Sequence, residues 1–223
     1  MKCGFCGRQK GLFKLRRELA ILVGFHQQQT ARQCSLDLGL SYHAVERVYR
    51  RLRELLVHIC ELEGARLSGE IELDETYFGG KRKGKRGRAA AGKSVVFGLL
   101  ERDGRVYTRV VSNVSAPTLL EIIRRKCRKG SVYYTDSFRS YNSLSLYGKH
   151  YPLSHGRHFA QKRIHINGIE GFWSFAKHKL YNYRGVSKSN FPLYLKEMEW
   201  RFNHRKENLL KLLFQIYFGY VSD

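Results

Sequence analysis

Acidic side chains are scarce in this 223-residue chain, which has 19 Asp and Glu residues against 41 Lys and Arg residues. The shortage is greatest between Gly104 and Lys196, where Glu121, Asp136 and Glu170 face seventeen Lys and Arg residues. The formal net charge is +22, so the acidic residues are too few to neutralise the basic ones. This excess indicates a polyanionic partner. Each acid that remains in the basic stretch is therefore a candidate functional residue.

Long hydrophobic runs are also missing. The longest apolar segment, residues 209–221, is interrupted by Lys211 and Gln215 and is too short to span a bilayer. The N-terminus has no apolar core ahead of a cleavage site, so we expect no signal peptide. The five cysteines, an odd number spread along the chain, argue against a disulfide framework and are typical of a reducing compartment. These absences predict a cytoplasmic protein.

The basic residues are spread along the whole chain. A membrane surface is one possible anionic partner, but a protein that binds lipid normally gathers its Lys and Arg residues on one side of an amphipathic helix. This chain shows no such gathering, which favours nucleic acid and predicts an association with the nucleoid and not with a membrane.

Residues 1–68 are predicted to form a separate helical module. Apolar residues of 12–23 have helical spacing, a short helix over 30–39 ends on a glycine, and Ser41 can cap a third helix. Four arginines are expected largely on other faces than the apolar one of this third helix: Arg47, Arg50, Arg51 and Arg53. The pattern predicts a DNA-binding helix-turn-helix, with an ordinary helical hairpin as the alternative.

Strand signals replace helical ones from residue 69 onward. Strands are predicted over 71–78, 94–100, 106–111, 131–135 and 150–153. Helices are predicted over 117–128, 167–181 and 191–205. This is the element order of the ribonuclease H-like fold, an α/β class in which helices flank a mixed sheet. We therefore predict a domain of that class over residues 69–223.

Three acids are expected to meet in such a fold. The first and fourth strands are neighbours, so Asp74 on the first and Asp136 at the end of the fourth should face each other, while Glu170 comes from a later helix. Lys177, two helical turns after Glu170, shares its face and could hold a phosphate. Because converged carboxylates repel one another unless cations neutralise them, the set predicts a site for two Mg²⁺ or Mn²⁺ ions.

Each of these acids also has a structural interpretation. Asp74 is alternatively a turn or cap residue, with Glu72 or Glu75 as the functional acid. Strand alternation puts Glu72 on the face of Asp74 and Glu75 on the other face. Asp136 can cap the helix that follows it. Glu170 can be a surface residue paired with a cation.

A basic run follows the first predicted strand. Six of its eight residues are cationic: Lys81, Arg82, Lys83, Lys85, Arg86 and Arg88. Their position next to the candidate acids predicts contacts with DNA phosphates, with a solvated charge run as the alternative.

The N-terminal cysteines Cys3 and Cys6 have the spacing of half a zinc ribbon. Half a ribbon does not hold zinc, and Cys34 and Cys60 could complete a site only if the helices bring them close. Bound zinc is therefore not expected.

Four motifs carry a resemblance to a known family. They are IELDETYFGGKRKGKRGR at 71–88, VYYTDSFRSY at 132–141, HINGIEGFWSFAK at 165–177 and WRFNHR at 200–205. From about residue 69 to 205 the chain resembles the DDE transposases of small bacterial insertion sequences, in the group related to the eukaryotic Merlin elements.

The resemblance assigns roles to individual residues. It implies that Asp74, Asp136 and Glu170 are the catalytic acids and that Lys177 contacts DNA. Members of the group vary at the third acid, and some use asparagine there, so Asn167 is a reserve candidate.

The resemblance also implies an activity. The N-terminal module would recognise terminal inverted repeats of double-stranded DNA, and the ribonuclease H-like domain would nick that DNA and join the freed 3′ hydroxyls to a target. Two ends handled together imply at least a homodimer on DNA. Relatives often carry a complete four-cysteine ribbon, so the N-terminal cysteine pair is interpreted as a remnant of one. The alternatives are a catalytically inactive, sequence-specific DNA-binding protein and a metal-dependent nuclease of the same fold.

Overall fold

The computed structural model describes residues 4–63, 66–79, 93–102, 104–153, 164–183 and 185–219. The chain forms two compact units, one of Met1–Ile59 with His204–Asp223 and one of Cys60–Asn203. This division differs from the predicted boundary at residues 68 and 69 mainly in the C-terminal segment, which groups with the N-terminal helices.

From the first helix to the helix that begins at Phe191, the main elements follow the order that the sequence predicts, and a further C-terminal helix at Leu209–Gly219 was not predicted. The helices are α1 (Gly4–His26), α2 (Ala31–Asp37), α3 (Tyr42–Leu62), α4 (Ala116–Lys126), α5 (Asn167–Leu180), α6 (Phe191–Asn203) and α7 (Leu209–Gly219). The strands are β1 (Glu70–Phe78), β2 (Ser94–Glu101), β3 (Val106–Val111), β4 (Val132–Asp136) and β5 (Lys149–Leu153). Short 3₁₀ helices lie at Arg139–Leu146 and Tyr181–Tyr183. None of the helices in the described ranges is long and apolar enough to cross a membrane.

The first unit contains α1, α2, most of α3, and α7. The hydroxyl of Thr30 accepts a hydrogen bond from the backbone N–H of Gln33 and caps α2, and Gly39 has a φ of 63° in the turn before α3. Arg47 and Arg50 are exposed on α3, as predicted. The element order is that of a helix-turn-helix, and the DNA-binding role of this unit stays a prediction.

Arg53 corrects one part of the prediction for α3. Its side chain is not on an outward face but is buried, 4% exposed, with its guanidinium carbon 5.4 Å from the ring centroid of Phe25 and 5.7 Å from that of Tyr49. A guanidinium is weakly hydrated and stacks on aromatic rings, which allows this arginine to be buried beside the apolar side chains of the helix.

The second unit is built on a five-stranded sheet with the order β3-β2-β1-β4-β5. The central strand β1 pairs antiparallel with β2 and parallel with β4, and β4 pairs parallel with β5. The element order and the adjacency of β1 and β4 confirm the predicted ribonuclease H-like fold.

Each face of the sheet carries its own apolar core. One face packs α4 and the 3₁₀ helix Arg139–Leu146 over residues such as Leu73 and Tyr133. The other face packs α5 and α6 over residues such as Val96 and Tyr134. The described helices of this unit therefore cover both sides of β1, the strand that carries Asp74.

The helices α4 and α6 each end two residues earlier than predicted, at a point where the chain forms hydrogen bonds or a bridge with another extended segment. After α4, Cys127 is extended and forms a parallel bridge with Leu67. At the end of α6, the Asn203 side chain accepts from the backbone N–H of Val106 at 2.8 Å and donates to its carbonyl at 2.9 Å.

A buried charged cluster fixes α6 to β3. Glu199 accepts hydrogen bonds from the backbone N–H of Thr108 at 2.7 Å, from its hydroxyl at 2.6 Å and from the Lys196 ammonium at 2.9 Å. Burial raises the pKa of Glu199, and these donors oppose the rise. A buried carboxylate is tolerated here because its neighbours supply the hydrogen bonds that water would otherwise make.

Replacing Glu199 with alanine should destabilise the protein by about 3–5 kcal/mol, because a buried ammonium and a buried backbone N–H lose their shared acceptor. Urea denaturation measures the change. Glu121→Ala is the matched control, since Glu121 lies on the surface of α4 in an exposed pair with Arg125 and should change stability by no more than about 0.5 kcal/mol. Equal midpoint shifts in the two variants would contradict this account of the buried cluster.

Candidate active site

Asp74 and Asp136 lie on neighbouring parallel strands. The paired residues of β1 and β4 run from Glu70 with Val132 to Glu72 with Tyr134. The same register continued by two residues places Asp74 beside Asp136, and the negative charge of Asp136 acts on Asp74. Side chains of a strand alternate between the two faces of the sheet, so Asp74 shares a face with Glu72 and Asp136 shares a face with Tyr134. This is the face that α5 and α6 cover.

The pKa of Asp74 is raised to about 7, first by burial and then by the negative charges of Glu75 and Asp136. Hydrogen bonds from the backbone of Glu75 and from the side chain of Trp173 oppose the rise. A half-buried acid next to other acids is electrostatically strained as an anion, and a divalent cation relieves that strain. The donor set at this point, carboxylate oxygen, is also the one that Mg²⁺ and Mn²⁺ prefer.

Asp136 closes β4 and starts the next segment. Its Oδ1 accepts a hydrogen bond of 3.0 Å from the backbone N–H of Phe138, just ahead of the 3₁₀ helix. The N-cap residue of that helix is Phe138 and the helix has no side-chain cap, so Asp136 forms a local turn ahead of the helix and does not cap it as the alternative interpretation proposed. The hydrogen bond uses one of about four lone-pair sites of the carboxylate and leaves capacity for a ligand.

Two acids of β1 hold α5 over the sheet. Glu72, which is 1% exposed, accepts a hydrogen bond of 2.9 Å from the backbone N–H of Ile169 in the first turn of α5. One turn later the indole N–H of Trp173 donates to Asp74 Oδ2 at 3.0 Å. The residue before α5, Ile166, provides no side-chain cap, so Glu72 satisfies a helix N-terminus from another element.

Two glycines make this close packing possible. A Cβ at Gly98, which pairs with Asp74 across β1 and β2, would lie 2.5 Å from the Trp173 ring. A Cβ at Gly168 would lie 2.8 Å from a carboxylate oxygen of Glu72. Both positions need glycine because a neighbouring side chain occupies the space of a Cβ.

Glu170 lies in the first turn of α5, three residues before Trp173, and its side chain is exposed. Asn167, the reserve candidate, is exposed at the start of the same helix. In the described ranges no three or more His, Cys, Asp or Glu side chains are grouped so that they could hold a metal ion. The structure therefore brings Asp74 and Asp136 together, and the participation of Glu170 as the third acid stays a prediction.

Glu75 is committed to the opposite face of β1. It is buried and accepts a hydrogen bond of 2.8 Å from the Tyr141 hydroxyl. Strand alternation separates it from Glu72 and Asp74, as the sequence predicts. Glu72 and Glu75, the alternative acids of β1, have structural contacts with Ile169 and Tyr141, and the choice of Asp74 as the functional acid stays a prediction.

The structure describes only some of the remaining predicted site residues. Lys177 is exposed on α5, with its ammonium 5.9 Å from the centroid of the Phe78 ring. The basic run from Lys81 to Arg88 lies outside the described residues, as does Cys3, and the described side chains do not include that of Cys6. Cys34 and Cys60 are buried free thiols.

Comparison with known proteins identifies the family. Residues 66–203, more than half of the chain, match the family of ISXO2-like transposase domains. The chain belongs to this transposase family.

A relative of this transposase domain occurs in Haemophilus influenzae (strain ATCC 51907 / DSM 11121 / KW20 / Rd), where it is described as an uncharacterized transposase-like protein. The two are 50% identical over 101 residues, which make up 45% of this chain and 82% of the relative. The identity is high enough to support the same family assignment.

Solved structures that are similar to the transposase domain share little of its sequence. The catalytic core domain of BIV integrase is 13% identical and has a TM-score of 0.41, with 63% of this chain and 86% of that chain covered. The Mos1 transposase in a paired-end complex with the left transposon end is 17% identical and has a TM-score of 0.38, with 91% and 77% covered. Both TM-scores are too low for either likeness to bear on function.

Sequence reasoning missed Arg102, which binds the acids Glu70 and Glu72 of β1 next to the candidate site. Its guanidinium donates to Glu72 at 3.0 Å, to Glu70 at 3.2 Å and to the carbonyl of His165 at 2.7 Å, and it stacks 3.9 Å from the Tyr134 ring centroid. No local pattern marks such an arginine. Gly98 did carry a signal, because a glycine inside an apolar strand indicates a close approach by another group.

A methyl group at Gly168 should loosen the attachment of α5. Gly168→Ala is expected to cost about 1–3 kcal/mol of stability, because the added Cβ displaces the Glu72 carboxylate. Gly171→Ala is the matched control in the same helix, where a Cβ meets nothing within 4 Å and should stabilise by about 0.4–1 kcal/mol. Thermal or urea unfolding of both variants gives the comparison, and a stabilised Gly168→Ala protein would contradict the packing described.

Replacing Asp136 with asparagine should lower the pKa of Asp74 in the metal-free protein. The substitution removes a negative charge that favours the protonated form of Asp74, while burial and Glu75 continue to raise the value. A carboxyl titration followed by ¹³C NMR in the presence of chelator measures the shift. Glu121→Gln, a surface change on α4, should leave the titration unaltered, and an unchanged pKa in Asp136→Asn would show that the two acids do not interact.

Proposed function

We propose that this transposase binds the terminal inverted repeats of an insertion sequence, nicks the DNA there and joins the freed 3′ hydroxyls to a target. The observation that carries the proposal is the pair formed by Asp74 and Asp136 on adjacent parallel strands of a transposase domain. A pair of acids in a strongly basic chain is suited to a phosphate substrate only if cations neutralise it.

Asp74 and Asp136 would hold divalent ions, Mg²⁺ or Mn²⁺, with Glu170 as the third acid. Two such ions, when bound, supply activation of a water or a 3′ hydroxyl and stabilisation of the leaving oxygen in an in-line displacement at phosphorus. The attachment of α5 to β1 supports the choice of Glu170, because residues three apart on a helix are neighbours and Trp173 already contacts Asp74.

Other residues of the chain would orient the two aspartates and hold the DNA beside them. Trp173 and Phe138 fix the orientation of the two aspartates through their hydrogen bonds. Lys177, seven residues after Glu170, lies two turns along the same helix and would neutralise a phosphate next to the acids.

Recognition of the DNA ends would fall to the first unit. Arg47 and Arg50 are exposed on α3, the longer and more basic helix of the helix-turn-helix order. The basic run from Lys81 to Arg88 would add backbone phosphate contacts. Two DNA ends handled together require two copies of the chain, so we propose at least a homodimer on DNA.

Asp136→Asn should abolish nicking and strand transfer, by at least about 100-fold, because a ligand charge is lost while Asn keeps an oxygen for the Phe138 N–H. The substrate is a labelled duplex that carries the DNA ends bordering the gene, incubated with Mg²⁺ or Mn²⁺. Products are resolved on denaturing gels, and end binding is measured separately with chelator. Binding is expected to survive the substitution.

Glu121→Gln serves as the control and should retain both reactions. Glu170→Gln and Asn167→Ala, compared side by side, decide which residue is the third ligand, and the loss is expected in Glu170→Gln. An Asp136→Asn protein as active as the parent chain would falsify the metal site. A parent chain that binds ends without cutting them would be an inactive DNA-binding protein, and one that cuts without joining would be a nuclease.

A further inference from the structure

A large cleft opens beside the candidate active site, between the end of β1 and the C-terminal part of α5. Its volume is about 860 Å³, within the range of about 300–1,000 Å³ that is typical of ligand sites. Six aromatic side chains line it: Tyr77, Phe78, Tyr181, Tyr183, Phe191 and Tyr194. These residues define the aromatic cleft.

The aromatic cleft has fixed walls and an accessible ring. Phe78 packs against Phe191 with ring centroids 5.2 Å apart, and Tyr183 packs against Tyr194 at 5.1 Å. Tyr181, in the 3₁₀ turn that follows α5, is 63% exposed. The two ring pairs give the cleft a shape of its own, and Tyr181 offers aromatic surface that a ligand can cover.

The charge at the aromatic cleft is positive. Lys177 and Lys188 line it, and none of the described residues around it is acidic. Aromatic rings bind flat apolar groups, and ammonium groups bind anions. The combination fits a ligand that is planar at one end and anionic at the other, which is the chemistry of a nucleotide.

The aromatic cleft is connected to the two aspartates through α5. Phe78 contacts Trp173 with ring centroids 6.2 Å apart, and Trp173 donates its indole N–H to Asp74. Lys177 lies one turn beyond Trp173 on the same helix. A DNA strand with a phosphate at Asp74 would therefore present its neighbouring nucleotides to the aromatic cleft.

We infer that the aromatic cleft binds an unpaired nucleotide of the DNA strand that is cut or joined, with its base stacked on the aromatic rings and its phosphates at Lys177 and Lys188. This inference rests on the proposed function. The nucleotide must be unpaired, because a base inside a duplex has both faces covered by its neighbours and is not available for stacking on side chains.

Two probes of equal charge test the base-binding role. One is a fluorescein-labelled oligothymidylate of about ten nucleotides, and the other is an abasic oligomer of the same length, both measured by anisotropy at one salt concentration with chelator. The parent chain should bind the base-bearing probe at least about 10-fold more tightly, since each stacked base contributes about 5- to 100-fold. Tyr181→Ala should remove most of this preference, and Tyr181→Phe should keep it.

Two further variants separate base stacking from charge. Tyr151→Ala removes an exposed tyrosine of β5 outside the aromatic cleft and should leave the preference unchanged. Lys177→Gln should lower the affinity for both probes by the same factor and preserve the ratio of the two affinities, because it removes a phosphate contact. Equal affinity of the parent chain for the two probes, or an equal preference in Tyr181→Ala and the parent chain, would overturn the inference.

Photocrosslinking provides a second readout that does not depend on the variants. An oligothymidylate carrying one 5-iodouracil should crosslink to tyrosines of the aromatic cleft, as mapped by mass spectrometry. Crosslinks confined to other surfaces would contradict the inference. The inference would also be overturned if Tyr181→Ala abolished dimerisation of the chain while binding of the probes did not depend on their bases. The aromatic cleft would then be a contact with a second copy of the chain.

The outcomes of these experiments separate a failure of the nucleotide-binding inference from a failure of the proposed function. Asp136→Asn should lose nicking and joining while it keeps the preference for bases. A parent chain that nicks and joins DNA but binds the two probes equally would contradict the aromatic cleft alone. A parent chain that prefers bases but neither nicks nor joins would contradict the proposed function alone.

Discussion

The attachment of α5 to β1 is the constraint on which the candidate site depends. Glu72 and Asp74 point to the same face of the strand, and each accepts one hydrogen bond from the helix, from the Ile169 backbone and from the Trp173 indole respectively. Two contacts one turn apart fix both the position and the rotation of α5. The helix carries Glu170 and Lys177, so the placement of these two residues relative to the aspartates follows from the side chains of a single strand. Glycine at 98 and 168 is the steric condition for this attachment.

The scarcity of acids and their burial have a common consequence. Several of the few carboxylates in the second unit are turned inward, where Glu72 meets Arg102, Glu199 meets Lys196 and Glu197 meets Arg201. Acids used in this way neutralise internal cations and take no part in the field at the surface. The outer surface is then more basic than the composition alone indicates, which favours the approach of a polyanion. The partly exposed pair of Asp74 and Asp136 differs from these buried acids and is where the proposed function would place a phosphate next to negative charge.

The sequence predicted the sheet and the paired aspartates because both depend on local patterns. Alternating apolar residues marked the strands, and the parallel neighbours β1 and β4 follow from the element order of the fold. Contacts between residues distant in sequence were out of reach: Arg102 meets His165 across 63 positions, and Glu199 meets Thr108 across 91. The buried Arg53 was missed for a related reason, since helical periodicity treats arginine as outward-facing and cannot show that Phe25 of α1, together with Tyr49 of α3 itself, will cover it. The early end of α4 likewise depends on Leu67, which no local signal near Cys127 indicates.

Asp74 and Asp136 combine fixed orientation with capacity for a ligand. Each carboxylate gives one oxygen to a hydrogen bond from a neighbouring element, and each retains most of its lone-pair sites. Because the Trp173 indole favours the charged form of Asp74 while burial and the negative charges of Glu75 and Asp136 oppose it, Asp74 is held in place but incompletely satisfied as an anion. Hydrogen-bond donors alone cannot remove the repulsion between two negative charges, whereas a divalent cation can. The same burial and repulsion that raise the pKa of Asp74 would therefore favour a bound cation, and the contacts of the described residues pair neither aspartate with a lysine or arginine.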